Sequence, residues 1–125
     1  MRDLAIHVTH RPGEIARLAS ALARHDVNIK SIAGMNVGNQ GIMRVIPDDI
    51  EAARSALAEA NIRYEECELV TSLLENKAGE LAELASKLSN GGINVNAIYV
   101  IGLEGELVEV ALAVDDIKKA KKLVE

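Results

Sequence analysis

Aromatic side chains are almost missing from this sequence, which holds two Tyr, no Phe and no Trp. Its core must be filled by Leu, Ile, Val and Ala. Tyr99 and little else on the strands could stack a base, which excludes single-stranded RNA recognition by exposed strand aromatics. Cysteine is limited to Cys67, so no intrachain disulfide can form, and a lone Cys reads as a small apolar strand or core residue. Positive charge is not in excess either. Residues 1–66 carry 8 Lys+Arg against 9 Asp+Glu, residues 67–125 carry 6 against 10, and the net charge is −5. With no basic stripe there is no electrostatic footprint for a phosphate backbone. No apolar run approaches the roughly 20 residues that a bilayer requires, and the start, Met1-Arg2-Asp3-Leu4, lacks an apolar signal core. The expectation is a cytoplasmic protein with neither a nucleic-acid nor a membrane partner.

What the sequence does have is a repeat. Residues 12–32, PGEIARLASALARHDVNIKSI, align with residues 78–98, AGELAELASKLSNGGINVNAI, at a constant offset of 66. Nine of the 21 positions are identical, among them Gly13/Gly79, Glu14/Glu80, Leu18/Leu84, Leu22/Leu88, Asn28/Asn94 and Ile32/Ile98. One further residue shifts the offset to 67, and Asp48-Asp49-Ile50 then matches Asp115-Asp116-Ile117. The chain therefore holds two copies of one supersecondary unit.

Within a copy the periodicities order the elements. Leu4, Ile6 and Val8 alternate with Ala5, His7 and Thr9, the pattern of a half-buried strand. Pro12-Gly13 opens a helix, proline suiting a first turn, and Ile15, Leu18, Ala19 and Leu22 give it one apolar stripe. His25-Asp26 ends that helix and Gly91-Gly92 its counterpart. A strand over 27–37, a hairpin loop at Gly38-Asn39-Gln40-Gly41, a strand over 42–46 and a helix capped by Asp48-Asp49 follow. Ile62–Cys67 supplies a fourth strand in the first copy, and the second copy has no matching segment. The prediction is α+β: two ferredoxin-like units in tandem, βαββαβ over 1–67 and βαββα over 68–125, with antiparallel sheets and helices on one face. The second sheet is left with an edge that self-association or a partner would cover.

The segments His10-Arg11-Pro12-Gly13-Glu14-Ile15 leading to Val27-Asn28-Ile29, and Asn76-Lys77-Ala78-Gly79-Glu80-Leu81 leading to Ile93-Asn94-Val95, resemble the ACT domain over essentially the whole chain. The chain looks like small stand-alone tandem ACT proteins that carry no enzyme. That resemblance implies a regulatory protein binding a free amino acid where two domains lie side by side. The first strand–helix loop of one domain would meet the start of the second strand of its neighbour. Carried over, the ligand-binding residues are His10, Arg11, Pro12, Gly13, Asn28 and Ile29 in the first copy, and Asn76, Lys77, Ala78, Gly79, Asn94 and Val95 in the second. Ala78 and His10 depart from the family's usual proline and Asn or Asp.

The chemistry of these residue types fits a zwitterion. A helix N-terminus offers free N–H groups to a carboxylate, glycine lets the ligand come close, and an asparagine amide both donates and accepts. Loop 10–13 with Asn28, or loop 76–79 with Asn94, is expected to converge on one hollow. Three histidines, His7, His10 and His25, do not converge with further ligands as zinc requires. Neither a nucleophile–base pair nor paired catalytic carboxylates are found, so no catalytic residue, metal or other cofactor is expected. A homodimer formed through sheet edges or helical faces is expected, with an amino-acid biosynthetic enzyme as an alternative partner.

Overall fold

The computed structural model describes residues 1–9 and 11–124. Its contacts separate Arg2–Cys67 from a second unit that begins at Glu68 and takes in Met1, whose carbonyl accepts the Leu69 N–H at 2.7 Å.

The N-terminal unit runs β1 (Arg2–Thr9), α1 (Glu14–Arg24), β2 (Ile29–Val37), β3 (Gln40–Pro47), α2 (Ile50–Glu59) and β4 (Glu65–Glu68). Its four strands lie in the order β2-β3-β1-β4, and β3 pairs antiparallel with both β1 and β2. Leu4 and Ile6 of β1, Met43 and Val45 of β3, Leu18, Ala21 and Leu22 of α1, and Ala53, Ala56 and Leu57 of α2 form one buried cluster. Alternation thus places one face of the sheet under both helices. The α1 stripe differs from expectation: Ala21 is buried, whereas Ile15 stays 63% exposed. The first turn of α1 stands over the hollow described below and not over the core.

Among the described residues of this unit, one charged side chain is buried. The Asp3 side chain is fully buried and accepts from Arg44 Nε at 2.7 Å across the β1–β3 pair. A carboxylate so placed requires its partner, because an unpaired buried charge is strongly destabilising.

The C-terminal unit repeats the order as β5 (Val70–Glu75), α3 (Glu80–Asn90), β6 (Val95–Glu104), β7 (Leu107–Val114) and α4 (Ile117–Val124). Its three strands lie β5-β7-β6, both pairs antiparallel. Val70, Leu84, Leu88, Ile93, Val110, Leu112 and Ala120 form its core, so the repeated positions Leu18/Leu84, Leu22/Leu88 and Val27/Ile93 do the same packing in each unit.

Helix ends follow the repeat closely. After α1 the Val27 N–H donates to the Leu22 carbonyl at 3.1 Å and Asp26 adopts a left-handed φ of 58°. After α3 the Ile93 N–H donates to Leu88 at 2.9 Å and Gly92 takes φ 73°. Both are left-handed C-terminal caps of the kind glycine favours.

Two local assignments are corrected. Pro12 lies before the N-cap Gly13 and outside the α1 helix. Gly41 belongs to β3, where it is buried opposite Val8 and Asn36, so the hairpin turn narrows to Gly38-Asn39.

Candidate functional site

The loop between β1 and α1 closes on Gly13, which caps the helix at φ 93°, ψ −9°. An L side chain is strained at that φ, and a Cβ built there would meet nothing within 4 Å. Glycine is therefore held here by the backbone angle, not by crowding. With no side chain to cap it, α1 begins with the Arg17 N–H bonded to the Gly13 carbonyl at 2.9 Å. The N–H groups of Glu14, Ile15 and Ala16 consequently have no acceptor inside the helix. Gly79 reproduces this geometry at φ 91°, ψ −17°, with the Glu83 N–H donating to the Gly79 carbonyl at 3.0 Å.

Beside the first loop lies a hollow of about 640 Å³, a size suited to a small ligand. Arg11, Pro12 and Gly13 border it together with Glu14, Ile15 and Ala16 of the first helical turn. Its floor comes from the three neighbouring strands, through Val8 and Thr9, through Ile32, Gly34, Met35 and Asn36, and through Gly41, Ile42 and Met43. Among the described residues of this lining, only Thr9, Arg11, Glu14 and Asn36 are polar. Arg11 Nε donates to Glu14 Oε1 at 2.5 Å, and Arg17 lies 3.8 Å from Glu14 Oε2, so the loop cation is already paired. His10 lies outside the described residues.

The asparagines stand elsewhere. The β1 end Thr9 is opposite Gln40, which is opposite Val37, so the loop is level with the end of β2. Asn28 precedes the start of that nine-residue strand, roughly 25–30 Å away at the usual strand rise. Asn94 is separated in the same way from loop 76–79 by the ten residues of β6. Convergence of loop and asparagine inside one unit is thus overturned: a βαβ crossover returns the chain to the opposite end of the sheet. The asparagine backbones are clipped instead. The Asn28 N–H donates to Asp48 Oδ1 at 3.0 Å and the Asn94 N–H to Asp115 Oδ1 at 3.0 Å. Of each Asp pair only the second member caps its helix, Asp49 through the Ala52 N–H and Asp116 through the Lys119 N–H. Ile29 and Val95 begin their strands opposite Pro47 and Val114, and Ile29 packs on the core.

The second loop is dressed differently. Lys77 Nζ sits 2.8 Å from Glu75 Oε2, and the hollow beside it is lined by Glu75, Asn76, Lys77, Glu106 and Leu107. Two carboxylates against one ammonium make it a poor seat for an anion, and Ala78 is exposed in the loop. Of the histidines, His25 Nε2 is 2.7 Å from Glu59 Oε2 and His7 is exposed.

Sequence reasoning missed the strand residues of the first hollow, among them Gly34, Asn36 and Met43. The signal available was the repeat itself, which sets Val100 against Gly34 and Val108 against Gly41.

No known family profile and no curated protein matches this sequence, but solved structures do. A protein from Bacteroides thetaiotaomicron superposes with a TM-score of 0.87 at 20% identity, over 98% of this chain and 84% of that one. The regulatory subunit of aspartate kinase from Thermus thermophilus gives 0.68 at 16% identity, over 98% and 88%. Aspartokinase III from E. coli gives 0.56 at 20% identity, with 98% of this chain matching 30% of the enzyme. With the repeat, the loop motif and the sheet orders all agreeing, the chain has the fold of a tandem ACT-type protein.

Proposed function

We propose that this chain is a non-catalytic regulatory protein that binds a free amino acid at the β1–α1 loop of its N-terminal unit. Its domains in this reading are 1–67 and 68–125. The observation that carries the reading is the uncapped α1 N-terminus opening beside a ligand-sized hollow. Three N–H groups and the helix dipole favour a carboxylate there. Asn28 and Asn94 can reach such a loop only from another domain, and a second copy of the chain is the donor named here, in a homodimer of the cytoplasm. The resemblance in fold to a protein named as a regulatory subunit of aspartate kinase supports a second reading, an interaction subunit that assembles with an amino-acid biosynthetic enzyme.

A thermal-shift screen of the full chain against the twenty amino acids separates the two readings. A sensor melts higher with one or a few of them, because a ligand at about 100 times its Kd adds roughly 2.7 kcal/mol to the native state. An interaction subunit shows no shift with any of them and changes mass on mixing with its enzyme. Light scattering that gives a monomer at every concentration would remove the homodimer.

A further inference from the structure

We infer that the hollow of the N-terminal unit receives an aliphatic side chain, so that the amino acid bound is of the Leu, Ile, Val or Met class, and that the C-terminal unit is not built for it. This rests on the function proposed above and narrows it.

The two units differ where the hollow lies. Gly34 is opposite Met43 and Gly41 is opposite Val8. At the corresponding places of the C-terminal unit Val100 is opposite Val110 and Val108 is opposite Leu74. Opposed residues of an antiparallel pair share a face, and Met43 belongs to the core under the helices. Gly34 and Gly41 are therefore on the helix side of the sheet, where the second copy carries two isopropyl groups. The missing side chain at 34 opens space between α1 and the sheet, whereas at 41 Val8 Cγ2 already stands 2.9 Å from the place of a Cβ. Gly34 has no left-handed φ, and a Cβ there would meet only Met43 Cγ at 3.8 Å. Backbone strain and crowding thus leave room for a side chain at 34, while glycine keeps the hollow open.

The walls are large aliphatics left exposed. Ile15 is 63% and Ile32 45% accessible, an apolar surface of the kind that a ligand covers favourably. The polar end of a zwitterion has counterparts at the mouth. The first-turn N–H groups of α1 face its carboxylate. Asn36 Nδ2 donates to the Gly38 carbonyl at 2.9 Å, which fixes the amide and leaves Oδ1, 3.4 Å from a Cβ at Gly41, to accept from the ammonium. A second ligand charge, as in Asp or Lys, would be desolvated against apolar walls, and the two charged residues of the lining, Arg11 and Glu14, are already paired with each other.

The test is calorimetric titration of the full chain with Leu, Ile, Val, Met, Asp, Lys and Gly, repeated on Gly34→Val and Ile32→Asn. At least one of the first four binds, Asp, Lys and Gly do not, and each variant weakens binding ten-fold or more. Circular dichroism checks the fold of both variants; Ile32→Asn changes an exposed wall residue and decides the matter if Gly34→Val does not fold. Binding of Asp or Lys alone would overturn the aliphatic assignment and leave the proposed function standing. An aliphatic ligand that binds both variants like the parent would overturn the hollow as its seat. Silence of these seven here and of all twenty in the thermal-shift screen would overturn both.

Discussion

The backbone N–H of Asn28 donates to Asp48 Oδ1 at 3.0 Å, and the Asp48 N–H returns a bond to the Asn28 carbonyl at 2.9 Å. Asn94 and Asp115 make the same exchange at 3.0 and 3.2 Å. The clip ties the start of each second strand to the start of each second helix, which explains why the first aspartate of each pair recurs in register; the asparagine takes part through its backbone alone. Asp48→Ala is expected to cost about 1 kcal/mol, the usual worth of one such bond. Asp49→Ala should cost about the same by loss of a helix cap. Urea denaturation of the two variants, with the Asn28 amide followed by hydrogen exchange, checks both: only the first should raise the Asn28 exchange rate.

Asp26 at φ 58° occupies the position that Gly92 takes at φ 73° in the second copy. Left-handed backbone is costly for a residue with a Cβ, so Asp26→Gly is expected to stabilise the N-terminal unit by about 0.5–1 kcal/mol. Gly13→Ala runs the comparison the other way, placing a Cβ at φ 93°, and should cost roughly 1–2 kcal/mol. Denaturant midpoints of the two variants should move in opposite directions.

Acid should weaken the fold partly through Glu66. Its carboxylate accepts from Arg54 Nε at 2.6 Å and Nη2 at 2.8 Å, and from Arg2 Nη1 at 2.9 Å. The hydrogen bonds from Arg54, then its charge and that of Arg2, hold the Glu66 pKa below the ordinary carboxylate value. A carboxylate whose folded pKa is depressed contributes its full stabilisation above the unfolded pKa of about 4.3 and loses it as pH falls through the folded value. Glu66→Gln is therefore predicted to flatten the loss of stability below about pH 5. Denaturant titrations at several pH values, with the parent no steeper than the variant in that window, would contradict this.

How much was legible in the sequence follows from the range of each interaction. The strands and helices were readable because Leu4-Ile6-Val8 and Leu18-Leu22 carry their periods locally, and the duplication repeats the Leu18/Leu84 signal. Helix ends at Asp26 and Gly92 were readable for the same reason. Glycine close to Asn39 has the look of a turn residue in the sequence; only the opposition of Gly41 to Val8 and Asn36 shows it to be a strand residue. The distance from loop 10–13 to Asn28 was hidden in topology, since a crossover that is short in sequence spans the full sheet. The hollow was least legible. It depends on Gly34 standing opposite Met43 while Ile15 turns away from the core, relationships that no single segment encodes.

Amide chemical shifts of the full chain, followed by heteronuclear NMR while one aliphatic amino acid is added, test most directly whether the first loop is a ligand seat. The predicted result is a saturable change concentrated at the N–H groups of residues 11, 13–16 and 34–36, with those of residues 77–82 unmoved. Shifts that stay constant at millimolar ligand, or that change only in the C-terminal unit, would contradict it.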